Sequence, residues 1–211
     1  APGAPWEVLR DENDVPYYKQ APANLVEALA LAREHGDREF LIYEGERRSF
    51  SQLMKEADEI AAALQAHGIK PGDRVGLAMR NYPEWMAVFI AVVTIGAVIV
   101  PVNSWGRPAD ICHALDSADD PRSLAAFVGP FQGKAPAEVA IDGEDLALIM
   151  YTSGTSGKPK GAASTHRAVC QALYNFEFAA AAAAICNMDR IGAMLERGFE
   201  STSLLAVPLF H

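Results

Sequence analysis

Hydrophobic positions along the chain change their period several times, and those changes divide it into elements. Residues 1–20, rich in Pro, Asp, Glu and Tyr, hold neither a helical nor a strand period and read as an extended arm. Asn24 is placed to cap a helix running to about His35, with Leu25, Val26, Leu29 and Ala32 on one face and Gly36 ending it. Glu39–Tyr43 and Arg48–Phe50 flank Glu44-Gly45, the pattern of a short hairpin. Ser49 and Gln52 have capping-box spacing, and Leu53, Ala57, Ile60, Ala61 and Leu64 follow at helical period. Gly68, Pro71 and Gly72 stop that helix.

Beyond residue 73 strands and helices alternate. Arg74–Met79 reads as a strand, Pro83–Thr94 as a helix, Ala97–Val102 as a strand and Pro108–Leu115 as a helix. Residues 117–143 form a loop whose apolar stretch, Leu124–Val128, allows one helical turn. Leu146–Tyr151 is another strand, followed by a Gly/Ser/Thr loop and a helix from about Thr165 through the alanine run 179–184. Ser203–Val207 reads as a closing strand ended by Pro208. Strand–helix alternation requires right-handed crossovers and a parallel sheet with helices on both faces. The fold class is therefore α/β, mostly parallel, with an N-terminal hairpin. No internal repeat is present.

Composition narrows the function classes. Half of the 211 residues are hydrophobic and about a fifth are charged, as in a globular domain that buries a sizeable core. A net charge of −9 argues against nucleic acid held by a basic surface, but not against a small anion met by a few local cations. Cys112, Cys170 and Cys186 stand at unrelated spacings, with no zinc-site pattern, and fit reduced thiols. Residues 1–5 lack the basic and apolar regions of a signal peptide, so a cytoplasmic location is expected. The uncharged run 85–102 is at the short end of a bilayer span. Thr94, Ile95 and Gly96 break it, so a helix followed by a buried strand is expected rather than an integral membrane segment.

The chemistry lies where Leu148–Tyr151 runs into Thr152-Ser-Gly-Thr-Ser-Gly157. Gly154 and Gly157 permit tight turns that point successive N–H groups at one ligand. The hydroxyls of Thr152, Ser153, Thr155 and Ser156 add donors, and lone pairs for a magnesium ion. Lys158 and Lys160 bring positive charge. Together these groups describe a polyphosphate cradle. The spacing is not that of the common P-loop, which needs four residues between its glycines and Ser or Thr after its lysine. A Gly/Ser/Thr run is also what a plain surface loop looks like. Its place at the carboxyl end of a strand, where open α/β sheets bind ligands, favours the cradle.

Tyr151-Thr-Ser-Gly-Thr-Ser-Gly-Lys-Pro-Lys-Gly161 closely resembles the signature of the adenylate-forming superfamily: acyl-CoA synthetases, beetle luciferases and the adenylation domains of peptide synthetases. Gly68–Val75, Asn81-Tyr-Pro-Glu-Trp85, Gly96–Asn103 and Ala206-Val-Pro-Leu-Phe-His211 resemble further family segments, so the likeness runs from about residue 24 to the last. In that family an acid attacks the α-phosphate of MgATP to give an acyl-adenylate and pyrophosphate, and the acyl group then passes, usually, to the thiol of CoA. The resemblance implies phosphate binding by Thr152, Ser153, Gly154, Thr155, Ser156, Gly157 and Lys160, with Thr155 contacting Mg2+. It makes His211 an acyl or pantetheine-channel residue. His166 reads as a residue at a helix start rather than a catalyst, and Lys158 as a solvated charge.

Complete family members are more than twice this length. Residues 1–211 are accordingly expected to be the N-terminal part of an adenylation domain. The adenine and ribose contacts and a mobile C-terminal domain with its catalytic lysine would lie elsewhere, leaving this part inactive alone. The stretch between Asn103 and Tyr151 is shorter than the family's, and one strand expected after Pro108–Leu115 is not evident. The apolar character suggests a fatty or aromatic acid, and a fatty-acid–CoA ligase that uses ATP, Mg2+ and CoA is the expectation. Its partners would be small molecules, with an oligomer possible. The alternatives are a domain activating amino or aryl acids, or a non-catalytic nucleotide-binding module.

Overall fold

A computed structural model of the chain describes residues 3–103, 124–152, 160–198, 203–205, 207 and 209. The first 20 residues are not simply extended: β1 (Val8–Arg10) pairs antiparallel with β2 (Pro16–Tyr18). Asp11 makes the turn, its carboxylate accepting from the backbone N–H of Asn13 and of Val15, both at 2.9 Å. The helix expected after Asn24 is α1 (Leu25–Arg33), and the Asn24 side chain accepts from Glu27 N at 3.0 Å.

The hairpin β3 (Glu39–Tyr43) and β4 (Glu46–Ser49) turns through Glu44 and Gly45, both at positive φ. It leads into α2 (Phe50–Ala66), where Ser49 and Gln52 form the capping box. Arg48 ties the hairpin to the helices, reaching Glu56 at 2.6 Å and Glu84 at 2.5 Å.

One four-stranded sheet organises the remainder in the order β5 (Arg74–Leu77), β6 (Val98–Pro101), β7 (Leu146–Thr152) and β8 (Lys160–Thr165). The first three strands are parallel, and β8 returns antiparallel to β7. The uncharged run 85–102 is divided as expected between α3 (Pro83–Thr94) and β6, which is buried at all four positions. Leu53, Ala57, Ile60 and Ala61 of α2 share the core with Ala87, Ile90, Ala91 and Val93 of α3, joined by Ile99 and Ala147 from the sheet. Each buried Leu, Ile or Val there contributes about 1.5–3 kcal/mol. The apolar stretch 124–128 is the short helix α4 (Leu124–Val128), continued by a 3-10 turn over Gly129–Phe131.

Past the sheet, α5 (His166–Cys186) is capped by Thr165, and α6 (Met188–Glu196) follows it. The arm docks on α5. Gln171 accepts from Tyr18 N at 2.6 Å and donates to Tyr18 O at 3.1 Å, the Tyr174 hydroxyl donates to Pro5 O, and Trp6 meets Phe178 edge to face. Among the described residues α5 is the one helix long and apolar enough to cross a bilayer, on length and composition alone.

Two expectations need correction. Ser203–Val207 is not a strand: residues 203–205 belong to no regular element, and Leu204 is 93% exposed. Residues 203–205 pair with no described strand, so their backbone groups are met by solvent rather than by a ladder. The signature also does not lead directly from strand to helix, because β8 intervenes. The helix expected over 108–115 lies outside the described residues.

Candidate functional site

Parallel pairing fixes where the signature sits. Leu77 is in register with Pro101, and Ile99 with Leu148, so the carboxyl ends of β5, β6 and β7 share one rim of the sheet. At that rim β7 ends on Thr152 and β8 begins on Lys160, and the two are register partners. The stretch 153–159 is therefore a connection between paired strands, with both ends held by the ladder. Opposite Tyr151 the ladder has Gly161, where a Cβ would stand 2.9 Å from Ile149 Cγ2. A side chain there would push against Ile149 and force one of the paired strands to shift.

Lys160 is exposed on the same rim. Of the expected phosphate-binding residues, Ser153, Gly154, Thr155, Ser156 and Gly157 lie outside the described residues, as does His211. The structure thus pairs the two residues that flank the stretch 153–159, Thr152 and Lys160. β7 is less enclosed than its apolar sequence implies: Ala147 is fully buried, but Tyr151 is 42% exposed. The two residues share a face of the strand, so enclosure falls along β7 toward its carboxyl end rather than alternating with the pleat.

His166, one residue beyond β8, is wholly buried. Its Nδ1 accepts from Leu25 N at 3.3 Å, and its own backbone N–H donates to Asp145 O at 3.0 Å. Burial lowers the imidazole pKa from its usual value, and Asp145 opposes that only in part. Such a group joins the starts of α1 and α5 and has no route to a substrate. Its backbone place is the first residue of α5, as expected.

A second feature of the rim went unread in the sequence. Asn81, in the connection between β5 and α3, donates through Nδ2 to Val207 O at 2.9 Å and accepts at Oδ1 from Leu209 N at 2.9 Å. A contact across 126 residues leaves no periodic signal. Asn81 stood only within the segment 81–85 that resembles the family. A cavity of about 330 Å³ lies elsewhere, between Arg33, Ser51, Asp58, Glu59 and Lys134. Within it Arg33 pairs with Asp58 at 2.6 Å and 3.0 Å.

The family model described as AMP-binding enzyme matches residues 29–211. The chain belongs to this family. Among curated relatives, the long-chain-fatty-acid–CoA ligase FadD13 of Mycobacterium tuberculosis is 30% identical over 195 residues, covering 78% of this chain and 36% of that protein. Pyochelin synthetase PchE of Pseudomonas aeruginosa is 30% identical over 155 residues, covering 67% of this chain and 11% of that protein. Among solved structures, the N-terminal subdomain of Klebsiella oxytoca NpsA in complex with 3-hydroxybenzoyl-AMSN matches with a TM-score of 0.61 and 26% identity, covering 69% of this chain and 42% of that one. The AMP-binding chain thus spans about a third of the length of the fatty-acid ligase and has the α/β fold of such N-terminal subdomains.

Proposed function

We propose that residues 1–211 are the phosphate-gripping N-terminal part of an ATP-dependent acid–CoA ligase whose acid is a fatty acid. The observation that carries this reading is the signature Tyr151–Gly161, closed between paired Thr152 and Lys160 at the carboxyl rim of a parallel sheet. In the whole protein the acid's carboxylate oxygen attacks the α-phosphorus of ATP, and the bond to the bridging oxygen breaks. The products are acyl-adenylate and pyrophosphate, and CoA thiol then displaces AMP.

This part of the protein contributes to the first step. N–H groups and hydroxyls of residues 152–157 hold the β- and γ-phosphates, and the Lys160 ammonium offsets the charge that gathers on the departing pyrophosphate. Preformed donors act here because they need no reorganisation as that charge develops. Magnesium would suit the hydroxyl-rich donor set, with Thr155 holding it, and would offset negative charge on the phosphates. Among the described residues no group of three His, Cys, Asp or Glu side chains would hold it independently. His211 would border the acyl or pantetheine channel.

The test is calorimetric titration of the chain with MgATP, alongside acid-dependent pyrophosphate exchange by the whole protein with fatty, aryl and amino acids. Lys160→Ala should weaken MgATP binding about tenfold or more, the contribution of one charged contact. It should slow pyrophosphate exchange more than thiolysis of preformed acyl-adenylate. Equal losses in the two half-reactions would remove Lys160 from this role, and exchange with aryl or amino acids alone would transfer the proposal to those substrates.

A further inference from the structure

We infer that Asn81 is a positioning residue whose carboxamide acts as a one-residue parallel strand, seating the 207–209 backbone against the carboxyl-end connection of β5. The pattern of bonds is specific. In a parallel sheet one residue donates its N–H to a carbonyl of the neighbouring strand and accepts from the N–H two residues further on. Asn81 Nδ2 and Oδ1 do the same to Val207 O and Leu209 N, both at 2.9 Å. Position 208, between the two bonded groups, is proline, which has no N–H. The segment therefore has no donor there for a backbone strand to satisfy.

Side-chain pairing fixes the segment without extending the sheet. Residues 203–205, just before it, are in no strand, and Leu204 and Leu205 are exposed. Leu209, just after the first bond, packs against the core cluster. The segment is thus held by one apolar side chain and one carboxamide. The carboxamide supplies a donor and an acceptor side by side on one planar group, and the short asparagine side chain restricts where the segment lies. Its consequence for function rests on the adenylation reading: Val207 and Leu209 belong to the segment 206–211 that resembles the family, and the clasp ties their backbone to the carboxyl-end connection of β5.

The test is amide hydrogen exchange by NMR on the whole chain, comparing Asn81→Ala and Asn81→Asp with the parent. Leu209 N–H reports the clasp, and Val92 and Val93 N–H in buried α3 report global opening. In Asn81→Ala, Leu209 exchange should accelerate about tenfold, the effect of losing roughly one net hydrogen bond, with the α3 amides unchanged. Asn81→Asp keeps an acceptor for Leu209 N–H but turns an oxygen toward Val207 O, and should accelerate it less. Unchanged Leu209 exchange in Asn81→Ala overturns the clasp. Equal acceleration of Leu209 and the α3 amides overturns the positioning role, because a purely stabilising residue acts on both. A parallel MgATP titration separates the two ideas: a parent chain that does not bind nucleotide defeats the adenylation reading, while Leu209 exchange still decides the clasp.

Discussion

Gly143 gives the sharpest test of how the sheet and the first helix are joined. A Cβ at this position would lie 2.7 Å from Ala23 O and 3.4 Å from Arg167 Cβ. The nearer neighbour is backbone and cannot swing aside as a side-chain tip would. Three contacts hold the turn in place: Arg167 N donates to Gly143 O at 2.8 Å, His166 N to Asp145 O at 3.0 Å, and Asn24 Nδ2 to Ile141 O at 3.3 Å. Gly143→Ala must separate the turn from Ala23 by several tenths of an ångström and so strain or break one of these. Overpacking costs about 1–3 kcal/mol, and one lost hydrogen bond about 1 kcal/mol more. A loss of about 2–4 kcal/mol is a large share of the roughly 5–15 kcal/mol available to a domain. Gly133→Ala is the control, since its φ is +71° but no atom lies within 4 Å of the added Cβ. Its cost is the left-handed backbone alone, about 1–2 kcal/mol. Urea unfolding followed by far-UV circular dichroism measures both. Should Gly143→Ala prove no more damaging than Gly133→Ala, the close approach to Ala23 is not a constraint on this fold.

Two further outcomes follow from buried titratable groups. Burial depresses the His166 pKa in the folded state, so its contribution to stability is full above the usual value near 6.5. It is lost as pH falls through the lowered folded value, because the unfolded chain takes up the proton first; His166→Leu should flatten that part of the unfolding profile, and parallel profiles for the two proteins between pH 7 and 5 would defeat the assignment. The Cys170 thiol is buried and pushed up to about 11, whereas Cys186 is exposed. Iodoacetamide at pH 8 should therefore modify Cys186 and spare Cys170 in the folded chain, as read by peptide mass spectrometry, and equal labelling without urea would contradict that burial.

What could be read in advance was decided by the range of the interactions. Helix α3 lies where its pattern places it, Pro83–Thr94, because proline at its start and an apolar run ended by Thr94 are local signals. The Asn24 cap and the Ser49–Gln52 capping box are equally local, each spanning three residues. β8 was not visible in the same way. Lys160-Gly-Ala-Ala-Ser-Thr165 has small, polar side chains, little β propensity and no apolar face; it is a strand because β7 offers it a ladder. The run Ser203–Val207 shows the converse. Its apolar residues read as a strand, yet without a neighbouring strand they remain exposed, and the backbone beyond them is held by Asn81 instead. Strand formation at both places is set by the partner rather than by the sequence of the segment itself. The signature had a partner-independent pattern in its glycines and hydroxyls, but its seat, the pairing of Thr152 with Lys160, depends on β8. A change that frees β8 from β7, such as Gly161→Val, should therefore weaken MgATP binding in a calorimetric titration without touching any group proposed to bind phosphate, and unchanged affinity would show that the proposed cradle does not depend on this ladder.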